Sequence, residues 1–140
     1  MREVLVDLIQ RIPYGVIILH ESWNYEWDQE LSLVEMVTGI DENWLYTKVL
    51  DNNYVPYKND KHSKDSTTIK PFLRPMSSMT EEEERELRIL WNEDFADKIS
   101  LYHCYPRTTE FYHKHYLDYR GLIDRNLAVP APEGMYKIKK

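Results

Sequence analysis

The sequence predicts an α+β fold: a small antiparallel sheet with an N-terminal helix and two C-terminal helices packed on one face or end. Three observations carry that reading. Apolar residues recur at helical spacing over the first dozen positions, alternate with polar ones through the next forty, and return to helical spacing beyond Pro75.

Val4, Leu5, Leu8, Ile9 and Ile12 form the first helical stripe, and Pro13 stops it, because proline restricts the residue before it and donates no N–H. Val16-Ile17-Ile18-Leu19 after Gly15 reads as a short strand buried on both faces. Trp23, Tyr25 and Trp27 alternate with polar residues, as in a continued strand or a turn with half-buried aromatics. Leu31 to Ile40 and Trp44 to Leu50 form the two arms of a hairpin. Leu31, Leu33 and Glu35 share one face of the first arm, and residues 39–43 supply turn chemistry.

Residues 51–67 hold Asn52-Asn53, Pro56 and a run from Lys58 to Ser66 without an apolar residue, which predicts a long, flexible surface loop. Thr67 to Lys70 returns to the sheet before Pro71. Ser78 with Glu81, or Thr80 with Glu83, offers a capping box for the next helix, with acids 81–84 favoured by the helix dipole. Leu87, Trp91 and Phe95 repeat every four residues and predict an apolar stripe laid on the sheet. A last helix is expected from Thr108 or Thr109, with Phe111, Tyr112, His115, Tyr116 and Tyr119 on one broad face and Gly121 at its C′ position. An irregular tail is expected over 124–140.

The length of 140 residues fits one domain, 1–140, able to bury about 70% of its unfolded surface. The net charge of −6 disfavours a broad grip on phosphates or anionic lipid. Cys104 is the single cysteine, so no intramolecular disulfide or cysteine-based zinc site forms within one chain. No apolar run approaches the roughly 20 residues of a membrane span, and the acidic N-terminus is unlike a secretory signal, so a cytoplasmic setting is expected.

Chemistry-bearing residues give a quiet picture. His113 and His115 would point about 200° apart on a helix and share a face only on a strand. His20, His62, His103, Cys104, His113 and His115 read as scattered, since a metal site needs the fold to bring them together; no metal, cofactor or catalytic residue is assigned. Cys104 reads as a small buried hydrophobe rather than a nucleophile. Glu81 to Glu84 are solvated complements of a helix dipole, with Arg85 and Arg88 as partners. Phosphate loops, nucleophile elbows, zinc-protease helices and calcium loops are missing from the sequence. Aromatic residues are the unusual feature: Trp23, Tyr25, Trp27, Trp44, Tyr46, Tyr54 and Tyr57 cluster among acids, which favours a protein partner over stacked nucleotides.

Two stretches resemble a known group. Lys70-Pro71-Phe72-Leu73-Arg74-Pro75 with Ser77 and Thr80, and Asp118-Tyr119-Arg120-Gly121-Leu122-Ile123 with Leu127-Ala128, resemble small uncharacterised proteins of Bacteroides-type phages and prophages. Asn126 stands where that pattern has glycine, and both tolerate positive φ. The resemblance implies a mobile-element origin, a cytoplasmic setting in a host cell and no particular reaction. The expectation is a non-enzymatic accessory protein that binds a host or phage protein, using Trp23, Trp27, Arg74 and Arg120. A single-stranded nucleic-acid binder is the alternative, a metal-dependent enzyme a more remote one, and a homo-oligomer is open.

Overall fold

A computed structural model describes residues 2–24, 26–63, 69–96 and 105–136. The architecture is α+β. Helix α1 (Arg2–Arg11) runs into a 3-10 turn at Ile12–Tyr14, and Gly15 closes it at φ +77°. Four antiparallel strands follow: β1 (Ile17–Asn24), β2 (Gln29–Ile40), β3 (Trp44–Leu50) and β4 (Pro56–Ser63). Strand β5 (Ile69–Leu73) pairs with the other edge of β1, and β6 (Val129–Pro130) adds to β5 in parallel. The sheet order is β4-β3-β2-β1-β5-β6. Helices α2 (Glu81–Ala96) and α3 (Pro106–Lys114) lie between β5 and β6 in the chain and contact each other. Among the described residues no helix is long and apolar enough to cross a membrane.

The sheet is buried on both faces near β1. Val4 and Leu8 of α1 pack on Val16, Ile18, Val37, Leu45 and Ile69, while Ile17, Leu50, Phe72 and Met135 form a second cluster with Leu19 and Met36. This is the two-sided burial expected of the run 16–19, split by alternation between two cores.

Four local expectations are corrected. The stretch 51–67 is not one loop, because 56–63 form β4, an edge strand whose register against β3 runs from Trp44↔Ser63 to Leu50↔Pro56. Polarity hid it: an edge strand exposes most of its side chains and is fittingly built from Lys58, Asn59 and Lys61. Pro71 sits inside β5, opposite Ile18, rather than ending the strand; β6 joins only from Phe72, so the missing N–H falls where the second edge is still unpaired. Helix α3 starts at Pro106 and ends at Lys114, and the left-handed residue directly after it is Tyr116 (φ +58°); Gly121 is left-handed too (φ +69°) but lies seven residues past the helix end. The Tyr116 ring stacks on Tyr136 at 3.6 Å and its hydroxyl bonds to Tyr14 O, contacts that hold a non-glycine residue in that conformation. The tail expected to be irregular carries fixed contacts: β6 pairs with β5, Met135 is buried, and the Tyr136 hydroxyl donates to Phe72 O at 2.6 Å.

Helix α2 also departs from expectation. Trp91 and Phe95 stack on each other at 5.4 Å but are 47% and 63% exposed, so this stripe does not lie on the sheet. The residues α2 buries are Glu83 and Asp94. Eleven positions apart, they fall within about 20° of each other around the helix. Each is held at an end. Glu83 and Thr80 form the capping box, with bonds of 2.9 and 3.1 Å, and Glu83 also takes both Arg74 nitrogens at 2.8 Å. Asp94 accepts the Thr108 N–H at 2.8 Å and the Arg107 N–H at 3.2 Å, capping α3 from α2. Capping geometry therefore sets the roll of α2, and the apolar stripe turns outward.

Candidate metal centre

Alternation along β2 puts Leu33, Glu35 and Val37 on one face, the face that α1 covers further along. Glu35 thus stands in an apolar row, and its side chain is fully buried. A buried carboxylate must be hydrogen-bonded and charge-balanced to persist. Strands β3, β4 and β1 supply the partners. Thr47 donates its hydroxyl to Glu35 Oε1 at 2.8 Å. His62 Nε2 lies 3.0 Å from Oε1 and 2.9 Å from Oε2. His20 Nδ1 approaches Oε2 at 3.5 Å without making a hydrogen bond, and this buried nitrogen has no hydrogen-bond partner.

The convergence requires a curved sheet. His20 on β1 lies opposite Leu33 and His62 on β4 opposite Leu45, which pairs with Ile40, so on a flat sheet they would be three strand spacings apart, about 14 Å, and offset further along the strands. Their ring centroids are 3.8 Å apart with planes at 28°, stacked over Glu35. The inner face is therefore concave, and the edge strand curls back toward β1. Ring nitrogens and carboxylate oxygen lie within 4.8 Å of one another, drawn from three strands. Two histidines that the sequence shows as scattered are thus the two that the fold joins.

Electrostatics distinguishes the two rings. Burial pulls His62 down, but the hydrogen bond and charge of Glu35, with Asp60 behind them, leave it above the ordinary imidazole range. Burial and the neighbouring His62 charge hold His20 below that range, against the pull of Glu35 and Asp60. Glu35 and Asp60 thus favour the charged form of His62, while burial favours the neutral form of His20, whose nitrogen can offer a lone pair. Two imidazole nitrogens and one carboxylate oxygen form a donor set that suits zinc, or ferrous iron where positions stay open. Thr47 acts behind the set, occupying Oε1 and leaving Oε2 toward the histidines.

The other sequence-selected residues lie elsewhere. Trp27 is 66% exposed in the turn between β1 and β2; the backbone of Trp23 pairs with Glu30, and its side chain lies outside the described residues, as do His103 and Cys104. Arg74 joins the end of β5 to the α2 cap and the end of α3, through Glu83, Ser78 O and, at 3.4 Å, His115 O. Arg120 bonds to Gln10 and to the Tyr119 hydroxyl and lies 3.7 Å from buried Asp7. Both arginines are engaged in holding elements together. His113 and His115, flanking Lys114, do not converge: His113 Nε2 meets the Tyr119 hydroxyl at 2.8 Å, and His115 Nδ1 lies 3.1 Å from Glu83. The signal that could have found the centre is Glu35 itself, an acid in the apolar row of a strand. Comparison with protein-family models, curated proteins and solved structures finds no match for this chain.

Proposed function

We propose that this protein binds a divalent transition-metal ion through His20, Glu35 and His62. The observation that carries the reading is a fully buried carboxylate faced by two imidazoles from separate strands, one with a buried, unpartnered nitrogen. Such a nitrogen costs roughly 1–3 kcal/mol if nothing meets it. An ion in the cluster turns that cost into a bond. The test is calorimetric titration of chelator-treated protein with zinc, and separately with ferrous iron under argon, beside H20A and H62A. One ion bound by the parent chain and loss of that binding in both variants supports the reading. A parent chain that binds neither ion overturns it and leaves the cluster as an internal proton-sharing network.

A second reading has its own observation. Ile89, Trp91 and Phe95 of α2 are each about half exposed or more, and Trp27 and Tyr57 are exposed on the sheet side. Aromatic anchors of this kind favour a protein partner, in keeping with an accessory protein of a phage or prophage acting inside its host. Capture from host lysate with the parent chain and with W91S/F95S distinguishes that role: a protein retained by the first and lost from the second supports it. Recovery of nucleic acid alone would favour the nucleotide-stacking alternative.

A further inference from the structure

We infer that Asp60 is the fourth ligand of this metal centre, and that the ion acts as a structural clasp fastening the edge strand β4 to β2 and β1. The inference rests on the metal-binding reading above and commits it to a closed, four-coordinate site of the zinc class.

Three protein ligands leave a position to fill, and structural zinc sites are closed at four. Thr47 is occupied behind Glu35. Asp60 stands two residues before His62 on β4, so alternation puts both side chains on the concave face. Its Oδ2 lies 3.8 Å from His62 Nε2, while Oδ1 accepts the Lys61 N–H at 2.8 Å. One oxygen is thereby anchored and the other is directed toward the cluster. The Asp60 side chain is 33% exposed, which leaves it room to turn inward.

The separations suit the geometry. Metal–ligand bonds of 2.0–2.2 Å imply about 3.4 Å between neighbouring donors of a tetrahedron. The separations of 2.9 and 3.5 Å from Glu35 to the two rings and of 3.8 Å from Asp60 to His62 lie near that value, while Asp60 stands outside the group of donors within 4.8 Å of one another and reaches the others by turning inward. Charge agrees as well. A divalent ion with Glu35 and Asp60 is neutral overall, and neutrality suits a centre built on a fully buried carboxylate. With Glu35 alone the cluster would keep a positive charge beside the buried core.

The clasp follows from where the ligands sit. Strand β4 hydrogen-bonds to β3 on one side only, and most of its side chains are exposed. Asp60 and His62 are the ones that turn inward. An ion taking two ligands from β4, one from β2 and one from β1 ties the strand across the concave face, where the backbone ladder cannot reach.

The experiment uses the full chain in three measurements. Zinc affinity of the parent is compared with D60N, which keeps the shape of the side chain; a loss of more than about tenfold is expected, since even residues behind a ligand set commonly cost that much. Amide exchange of residues 56–63 is expected to slow on zinc addition in the parent and much less in D60N. The cobalt-substituted parent is expected to keep its visible spectrum when azide is added, because a closed site has no place for it. Equal zinc affinity of parent and D60N, or an azide-induced spectral change, overturns the inference and leaves an open three-ligand centre. A parent chain that takes up no metal fails the earlier reading instead.

Discussion

Replacing the polar centre with apolar residues separates binding from stability. In the double variant E35M/T47V the carboxylate and the hydroxyl that serves it disappear together; His62 loses its acceptor, but its side chain on the edge strand keeps 10% exposure to water. What is lost is the hydrogen bonds that Thr47 and His62 make to Glu35; what is gained is the several kcal/mol otherwise spent removing its charge from water. Replacing a whole buried pair is neutral or stabilising by about 1–4 kcal/mol, and with the cost of the unpartnered imidazole set against that gain the double variant should come out near neutral. H62A is the opposite perturbation: Glu35 stays fully buried and loses its closest partner, the one whose charged form it favours. That costs about 3 kcal/mol or more. For a chain of this size each kcal/mol moves the midpoint by roughly 4 °C, so H62A should melt at least about 10 °C below the double variant. Urea and thermal unfolding in the presence of a chelator measure both, and zinc titration should find binding in neither. If the double variant lost as much stability as H62A, the cluster would be a prop for the sheet, and a ligand site would no longer be needed to account for a buried acid.

Other consequences are simpler to state. Acid should weaken the fold in two overlapping steps. His113 is held at about 4 by burial and by the Arg11 and Arg120 charges. It folds neutral, so its cost begins as pH falls below 6.5 and reaches about 3 kcal/mol near pH 4. Glu83 is lowered to about 2, first by the Arg74 hydrogen bond. Its stabilisation is complete above about pH 4.5 and lost as pH falls toward 2, so stability should rise with pH across this window, and H113F should flatten the upper part of a chemical-denaturation profile. Arg74→Ala should cost about 3 kcal/mol, because Glu83 remains largely buried without its guanidinium, and Thr80→Ala about 1 kcal/mol for the lost cap; equilibrium unfolding checks both.

The parts of the fold that periodicity encodes were legible. The hairpin of β2 and β3, the two-sided burial of 16–19 and the Thr80–Glu83 capping box all rest on neighbours within a few residues, where alternation and capping chemistry are local. Strand β4 was not, since Lys58 to Ser63 carry no apolar pattern and are held by pairing with β3. The roll of α2 was not, since Asp94 acts on the start of α3, thirteen and fourteen residues away. The metal centre is the extreme case: His20 and His62 meet only because the sheet curves, and curvature accumulates over four strands rather than in any one of them. Glu35 was visible, yet its meaning depended on partners that sequence spacing does not reveal.

Arg11 has a bearing on when the protein can finish folding. Its guanidinium is fully buried, pairs with Asp7 at 2.9 Å, and donates to Leu117 O at 2.7 Å and Tyr112 O at 3.4 Å. These carbonyls lie 106 and 101 residues further along. On a ribosome adding roughly 5–20 residues per second, α1 is complete some 5–20 seconds before its acceptors exist. Through that interval the Asp7–Arg11 pair has to stay in water, so α1 cannot settle into its final seat as it emerges. Assembly of the nascent chain is therefore held open from its first helix, and closes only when the segment around Leu117 arrives.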